Sequence, residues 1–134
     1  MSVFFDSNVL LYTLDAGAYR QEQAITALRQ GGTISVQVLN EVVNAARRKF
    51  KLSWSETAKA VTAMRAFCRG PVPLTLQIHE RAVELAMHHS FSIYDALIVA
   101  SALEAKCDVL LSEDMQDGRL IDGRLRIQNP FRQV

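Results

Sequence analysis

The 134-residue chain is predicted to be a single α/β domain, a parallel β-sheet flanked by α-helices on both faces, and three observations predict it. Short runs rich in β-branched and aromatic residues alternate with longer segments of helical periodicity from one end to the other, the pattern of strand–helix–strand units. The length suits one domain with one sizeable core. One segment, "SIYDALIVASALEAKC", reads as a helix apolar nearly all round, and such a helix must lie deep in a layered fold.

The elements follow in order. Val3–Phe5, short and aromatic-rich, suits a buried strand, and Ser7–Leu14 starts a helix that Asp6, Ser7 or Asn8 can cap. Tyr19–Arg29 places Ala24, Ile25 and Leu28 at helical spacing, and Gly31-Gly32 stops it. Thr33–Val36 is a second strand, and Val38 to about Lys51 is a helix with Val38, Leu39, Val42, Val43 and Ala46 on one face. Ser53 and Glu56 have the spacing of a capping box, so a further helix begins there and ends by Gly70-Pro71 and Pro73. Leu74–Leu76 is read as a third strand, Gln77–His88 as a helix, Asp108–Leu111 as a fourth strand and Leu125–Ile127 as the last. "EDMQDGRLIDG" is read as turn.

Bulk properties exclude several classes. A net charge of +1 gives no global basic field, so any polyanion is met through a local patch. Cys68 and Cys107 share no metal-ligand spacing, and a reduced, cytoplasmic setting is expected. The start lacks a basic region and reaches an acid at Asp6, unlike a signal peptide. Ala96–Leu103, the longest charge-free apolar stretch, falls far short of the roughly 20 residues a bilayer span needs, so no membrane partner is expected.

Chemistry enters with the acids. In a parallel sheet, functional groups gather beyond the carboxyl ends of the strands, where strand order reverses. Asp6 directly follows the first strand, Glu41 lies a turn into the helix after the second, Asp114 follows the fourth, and Asp95 opens the most apolar helix. Singly, Asp6 and Asp95 make good helix caps, and Glu113, Asp114 and Asp117 ordinary turn acids. Jointly they are harder to explain. Ionised carboxylates held together repel and must protonate or share a cation, and oxygen donors without His or Cys select a hard ion, Mg²⁺ or Mn²⁺. Such an ion holds a phosphate oxygen and acidifies a bound water, which suits phosphoryl chemistry. Ser7, Asn8 and Ser112 are then candidates to orient the carboxylates or a metal-bound water, or to contact phosphate.

Four segments, "FFDSNVLLY", "SVQVLNEVVN", "IYDALIVASALEAKCDVLLSEDMQDG" and "IQNPF", together resemble the PIN-domain ribonucleases, specifically the VapC-type toxins of VapBC toxin–antitoxin pairs, over essentially the whole chain. The resemblance implies a divalent-metal site formed by Asp6, Glu41, Asp95 and Asp114 that hydrolyses RNA phosphodiesters to 5′-phosphate and 3′-hydroxyl ends. It also implies a homodimer and a cognate VapB-type antitoxin whose C-terminal segment blocks the site. Ser7 stands where family members often have Thr, which keeps the hydroxyl, and the last acid is either Asp114 or Asp117.

An acidic hollow needs help to hold RNA. "RRKFK" (Arg47 to Lys51) is the densest basic cluster, and Arg119, Arg124, Arg126 and Arg132 form a second candidate phosphate track. His79, His88 and His89 lack a triad-like arrangement, and Trp54, Phe67 and Phe91 are assigned to the core or to dimer contacts. A haloacid-dehalogenase-like phosphatase would need an acid where Asn8 stands, and a receiver domain a Lys after "DVLLSEDM". The reading is a metal-dependent endoribonuclease toxin, and the alternative a catalytically inactive PIN-like module that binds RNA or a partner.

Overall fold

The computed structural model describes residues 1–132. Six strands, β1 (Val3–Phe5), β2 (Gly32–Ser35), β3 (Cys68–Val72), β4 (Val109–Leu111), β5 (Leu120–Ile121) and β6 (Leu125–Gln128), form one sheet in the order β3-β2-β1-β4-β6-β5. All neighbouring pairs run parallel except β5–β6. The helices are α1 (Ser7–Leu11, continued by a 3₁₀ turn over Tyr12–Leu14), α2 (Tyr19–Gln30), α3 (Val36–Arg48), α4 (Trp54–Ala66), α5 (Leu76–His89) and α6 (Ile93–Glu104).

Two steps lead outward from β1 to β2 and β3, and the chain then crosses back to β4 on the other side of β1. Right-handed crossovers therefore carry α1–α4 over one face and α5–α6 over the other. They also put the reversal of strand order between β1 and β4, and the crevice of such a sheet opens at that point.

Local chemistry fixes the ends of these elements. Gly31, at φ +89°, ends α2 in a conformation that other residues enter only with strain. Gly32 then starts β2 against the Phe5 ring, where an added Cβ would lie 2.6 Å from ring carbons. Ser35 accepts from the Val38 amide and caps α3, whose Val38, Val42 and Ala46 are buried. α6 is buried from Ala96 to Leu103 and packs against α5, β2 and α3. With Phe4, Phe5, Val9, Leu10, Ile34 and Leu110 it makes the centre of the core, where each large apolar side chain contributes about 1.5–3 kcal/mol.

Two readings of the sequence are corrected. Leu74–Leu76 is not a strand: Thr75 caps α5 by accepting from the Ile78 amide, and Leu74 and Leu76 are exposed. The edge strand is Cys68–Val72, pairing with β2 through residues on both sides of Gly70-Pro71. Proline lacks the amide of an interior strand, so Gly-Pro reads as a stop in sequence, yet an edge strand accommodates it. The supposed turn after β4 holds β5, which pairs antiparallel with β6 at Leu120–Arg126 and Ile121–Leu125. Of the two roles read for Trp54 and Phe67, exposure excludes the core and leaves dimer contacts; the Arg47 guanidinium lies 4.5 Å over the Trp54 ring.

Candidate active site

Asp6 sits where β1 hands over to α1. Its backbone amide donates to Leu111 O of the adjacent β4 at 3.0 Å, so strand pairing continues one residue past the strand. Its carboxyl is 3% exposed, with Oδ1 accepting from the Ser7 amide at 2.6 Å and Oδ2 from the Ser112 hydroxyl at 2.7 Å. Burial pushes its pKa up to about 7, against the pull of those hydrogen bonds, and Glu41 and Asp95 push it further in the same direction. Asp6 is thus both the cap of α1 and a buried acid held near neutrality.

The other acids converge on it. Ser7 donates its hydroxyl to Glu41 Oε1 at 2.9 Å and lies 3.4 Å from Asp6 Oδ1, so one side chain spans the two carboxylates. Glu41 Oε2 accepts from Gln37 Nε2 one helical turn earlier, at 3.0 Å, so α3 braces its own acid. Asp95, half-buried in the first turn of α6 after the Ser92 cap, has its pKa raised by burial and by the charges of Glu41 and Asp114. Asp114, exposed in the loop after β4, accepts from Asn8 Nδ2 at 3.1 Å.

Asn8 also accepts from the Glu113 amide through Oδ1 at 3.3 Å, so it ties the start of α1 to the loop after β4. Ser112 does the same from the other side: besides holding Asp6, it accepts from the Met115 amide at 3.2 Å. The four candidate acids therefore share one electrostatic neighbourhood at the β1–β4 crevice, supported by Ser7, Asn8 and Ser112. Among the described residues, no three acids, His or Cys are drawn tightly enough together to form a preformed ligand set.

Glu113 and Asp117 are engaged elsewhere. Glu113 is held by the Tyr12 hydroxyl and by Arg20 Nε, each at 2.5 Å. Asp117 accepts from the Asn129 amide at 2.9 Å and from Arg132 Nη1, interactions that hold its pKa below the usual range. It closes the turn to the C-terminal segment, leaving Asp114 as the acid beside Asn8. Gln37, Tyr12 and Arg20 were missed in the sequence. Gln37 had a signal, its position one turn before Glu41; Tyr12 and Arg20 meet Glu113 across 101 and 93 residues and had none.

The basic residues divide in the same way. Lys49 and Phe50 line a hollow of about 230 Å³ with Ser7, Asn8, Tyr12, Glu113 and Asp114, so part of "RRKFK" reaches Asp114. Arg47 instead donates to Leu52 O. The tail arginines are occupied within the fold: Arg119 with His89, Arg124 with Leu103 O, Arg126 with Gly118 O and Arg132 with Asp117. An apolar hollow of about 260 Å³ between α2 and α4, lined by residues such as Leu14, Ile25 and Met64, contains no acid.

A parallel sheet whose switch-point crevice gathers acids from the ends of separate strands and helices is an α/β domain built around an acidic centre. Residues 3–116 match the PIN domain model, and the chain belongs to that family. A search of curated proteins finds no match. Solved structures share the fold at low identity. A toxin–antitoxin complex from Klebsiella pneumoniae matches at 23% identity and TM-score 0.72, over 97% of this chain and 98% of that one. VapBC2 from Rickettsia felis, bound to a DNA fragment from its promoter, matches at 15% and 0.69, over 96% and 98%. Mycobacterium tuberculosis VapC20, a sarcin–ricin loop cleaving toxin, matches at 21% and 0.67, over 84% and 92%.

Proposed function

We propose that the chain is a metal-dependent endoribonuclease, the toxin of a VapBC-type pair, cutting RNA phosphodiesters at the acids Asp6, Glu41, Asp95 and Asp114. The observation that carries this reading is the Ser7 hydroxyl spanning the carboxylates of buried Asp6 and Glu41, with the Asp6 pKa raised by burial and then by Glu41 and Asp95. Nothing in the core requires an acid there. Capping α1 alone would be served by the amide of an Asn.

The donor set fits a hard divalent cation in kind. Every candidate ligand is a carboxylate oxygen, and among the described residues no His or Cys joins them. It also fits in number, because Mg²⁺ keeps several waters and is held through one or two carboxylates rather than a full protein cage. Asp6 and Glu41, linked by Ser7, are the residues placed to hold it, with Asp95 and Asp114 beside them. When bound, Mg²⁺ or Mn²⁺ supplies a Lewis acid that activates water and stabilises the leaving oxygen.

The protein's part is to keep the acids ionised and aimed. Ser112 and the Ser7 amide each stabilise the charged form of Asp6 and fix one of its oxygens. Ser7 and Gln37 occupy one oxygen each of Glu41, which sets its rotamer. Asn8 orients Asp114 and anchors the loop that carries it. Lys49 is the nearby cation placed to offset the repulsion between this hollow and a phosphate backbone.

The antitoxin, the homodimer and the RNA belong to the same proposal, supported by the fold shared with toxin–antitoxin structures. The test is direct. The chain, purified without partner, is incubated with structured and unstructured RNAs in Mg²⁺, Mn²⁺ or chelator, beside Asp6→Asn. Cleavage to 5′-phosphate ends that needs the metal and Asp6 is expected; cleavage that survives chelation overturns the mechanism. RNA binding that Asp6→Asn leaves intact, with no cleavage by either protein, would instead establish the inactive module.

A further inference from the structure

On the α6 side of Glu41 the surface opens into a second recess of about 350 Å³, lined by Gln37, Asn40, Glu41, Asn44 and Tyr94. Four of these come from one face of α3, opposite the buried Val38, Val42 and Ala46. The composition of that face is unusual for this molecule. Exposed positions of α4 carry Glu56, Lys59 and Arg65, and those of α5 carry Glu80 and Glu84. The stretch of α3 that lines the recess carries three amides and no charge but Glu41, with Arg47 and Arg48 one turn further along. Asn40 and Asn44 are exposed, and among the described residues neither side chain hydrogen-bonds within the chain. Tyr94, one residue before Asp95, is 61% exposed.

These groups select a kind of ligand. An Asn side chain presents a donor and an acceptor side by side, the pattern that matches the edge of a nucleobase. An exposed aromatic face stacks on an unpaired base. The recess has no cation, so it is poorly suited to phosphate. Glu41, one of the acids proposed to hold the metal, lines it, so its occupant lies beside that site. Gln37 is tied to Glu41, which leaves Asn40 and Asn44 to read and Tyr94 to stack.

We infer that Asn40, Asn44 and Tyr94 form a base-reading subsite that takes one unpaired nucleobase of the RNA strand flanking the cleaved phosphodiester. The inference deepens the ribonuclease reading above and rests on it for the identity of the strand. A second copy of the chain seated on the same face is the competing occupant.

The experiment separates these. Binding of short homopolymeric RNAs of A, C, G and U to the Asp6→Asn chain is measured by fluorescence anisotropy, with the mass of each variant followed by light scattering. One base should be preferred, and adding Asn40→Ala with Asn44→Ala should level the four affinities to within about twofold, because edge contacts carry base identity. Tyr94→Ala should weaken all four about tenfold, and Tyr94→Phe should restore them, because stacking needs only the ring. All three positions are exposed, so the variants keep the fold, checked by circular dichroism. Equal binding of the four RNAs before substitution, a preference that outlives the Asn changes, or variants that alter only oligomeric mass would each overturn the subsite. Base preference lost with the Asn changes, in a chain that never cleaves, would sink the nuclease reading and keep the recess. Cleavage by the unmodified chain, with the preference retained in the variants, would do the reverse.

Discussion

The Ser112 hydroxyl donates to Asp6 Oδ2 at 2.7 Å, joining two residues 106 apart at the ends of adjacent strands β4 and β1. It lowers the pKa of an acid that burial raises, so it keeps Asp6 available as an anion. Ser112→Ala should therefore push the Asp6 pKa above about 7. The rising limb of the pH–rate profile should move to higher pH, and cleavage at pH 7 should fall about tenfold or more. The change also leaves the Met115 amide without its acceptor, at a stability cost of about 1 kcal/mol. A rate loss that higher pH does not recover would argue that Ser112 only supports the loop.

Asp6→Asn should abolish cleavage while making the metal-free protein more stable at pH 8. The amide preserves the cap on α1 and removes a buried negative charge that Glu41 and Asp95 oppose. Thermal melts in chelator would show the melting temperature rising while activity is lost. A lower melting temperature would mean that the carboxylate contributes net stability.

The pH dependence of stability has a definite sign. Asp6 titrates near the ordinary carboxylate value of 3.8 when unfolded and at about 7 when folded, so between those values the folded chain binds more protons. Its contribution should make stability fall as pH rises from about 4 to about 7, by at most about 1.4 kcal/mol per pH unit, and stay level above. Asp95, shifted in the same direction, adds to the slope. Chemical denaturation in chelator across this range, compared with Asp6→Asn, measures it; the difference between the two should vanish near pH 4. Added Mg²⁺ should restore stability above pH 7, because a cation replaces the missing protons.

The two acids of "SEDMQD" should behave differently. Asp114→Asn should reduce cleavage at least tenfold with little loss of stability, since Asp114 is exposed and, among the described residues, its side chain hydrogen-bonds to Asn8 alone. Asp117→Ala should leave cleavage within about twofold and cost on the order of 1 kcal/mol, because it breaks the bonds to the Asn129 amide and Arg132. Steady-state rates alongside urea melts distinguish the pair, and a swap of the two phenotypes would move the site to Asp117.

Lys49→Ala should weaken RNA binding and make it less dependent on salt by roughly one phosphate contact, whereas Arg124→Ala should not. Lys49 lines the acidic hollow, while Arg124 is held by Leu103 O. A log–log plot of affinity against salt for both variants decides it. Equal slopes would place the strand elsewhere.

Much of this was legible in the chain. Patterning alone gives β1, β2, β4, β6, all six helices and the burial of α6, because a strand covered on both faces and an all-apolar helix have few other places to go. The spacing of acids after strands is legible for the same topological reason. Less visible was the edge. Cys68–Val72 contains a Gly-Pro pair that reads as a stop, and Leu120–Ile121 has only two residues of pattern. Both strands exist because a neighbouring strand offers hydrogen bonds, which no local signal encodes.

By itself, then, the sequence determined the α/β layering and which carboxylates stand at the ends of strands, since both depend on short-range periodicity and chain order. Only the tertiary structure decided that Ser7 links Asp6 to Glu41, that Ser112 restrains the Asp6 pKa, and that Asp114 faces Asn8 while Asp117 closes a distant turn. Those outcomes depend on hydrogen bonds spanning up to 106 residues and on how deeply a carboxyl is withdrawn from water. Both are set by how separate elements pack, and neither is a property of any stretch of sequence taken alone.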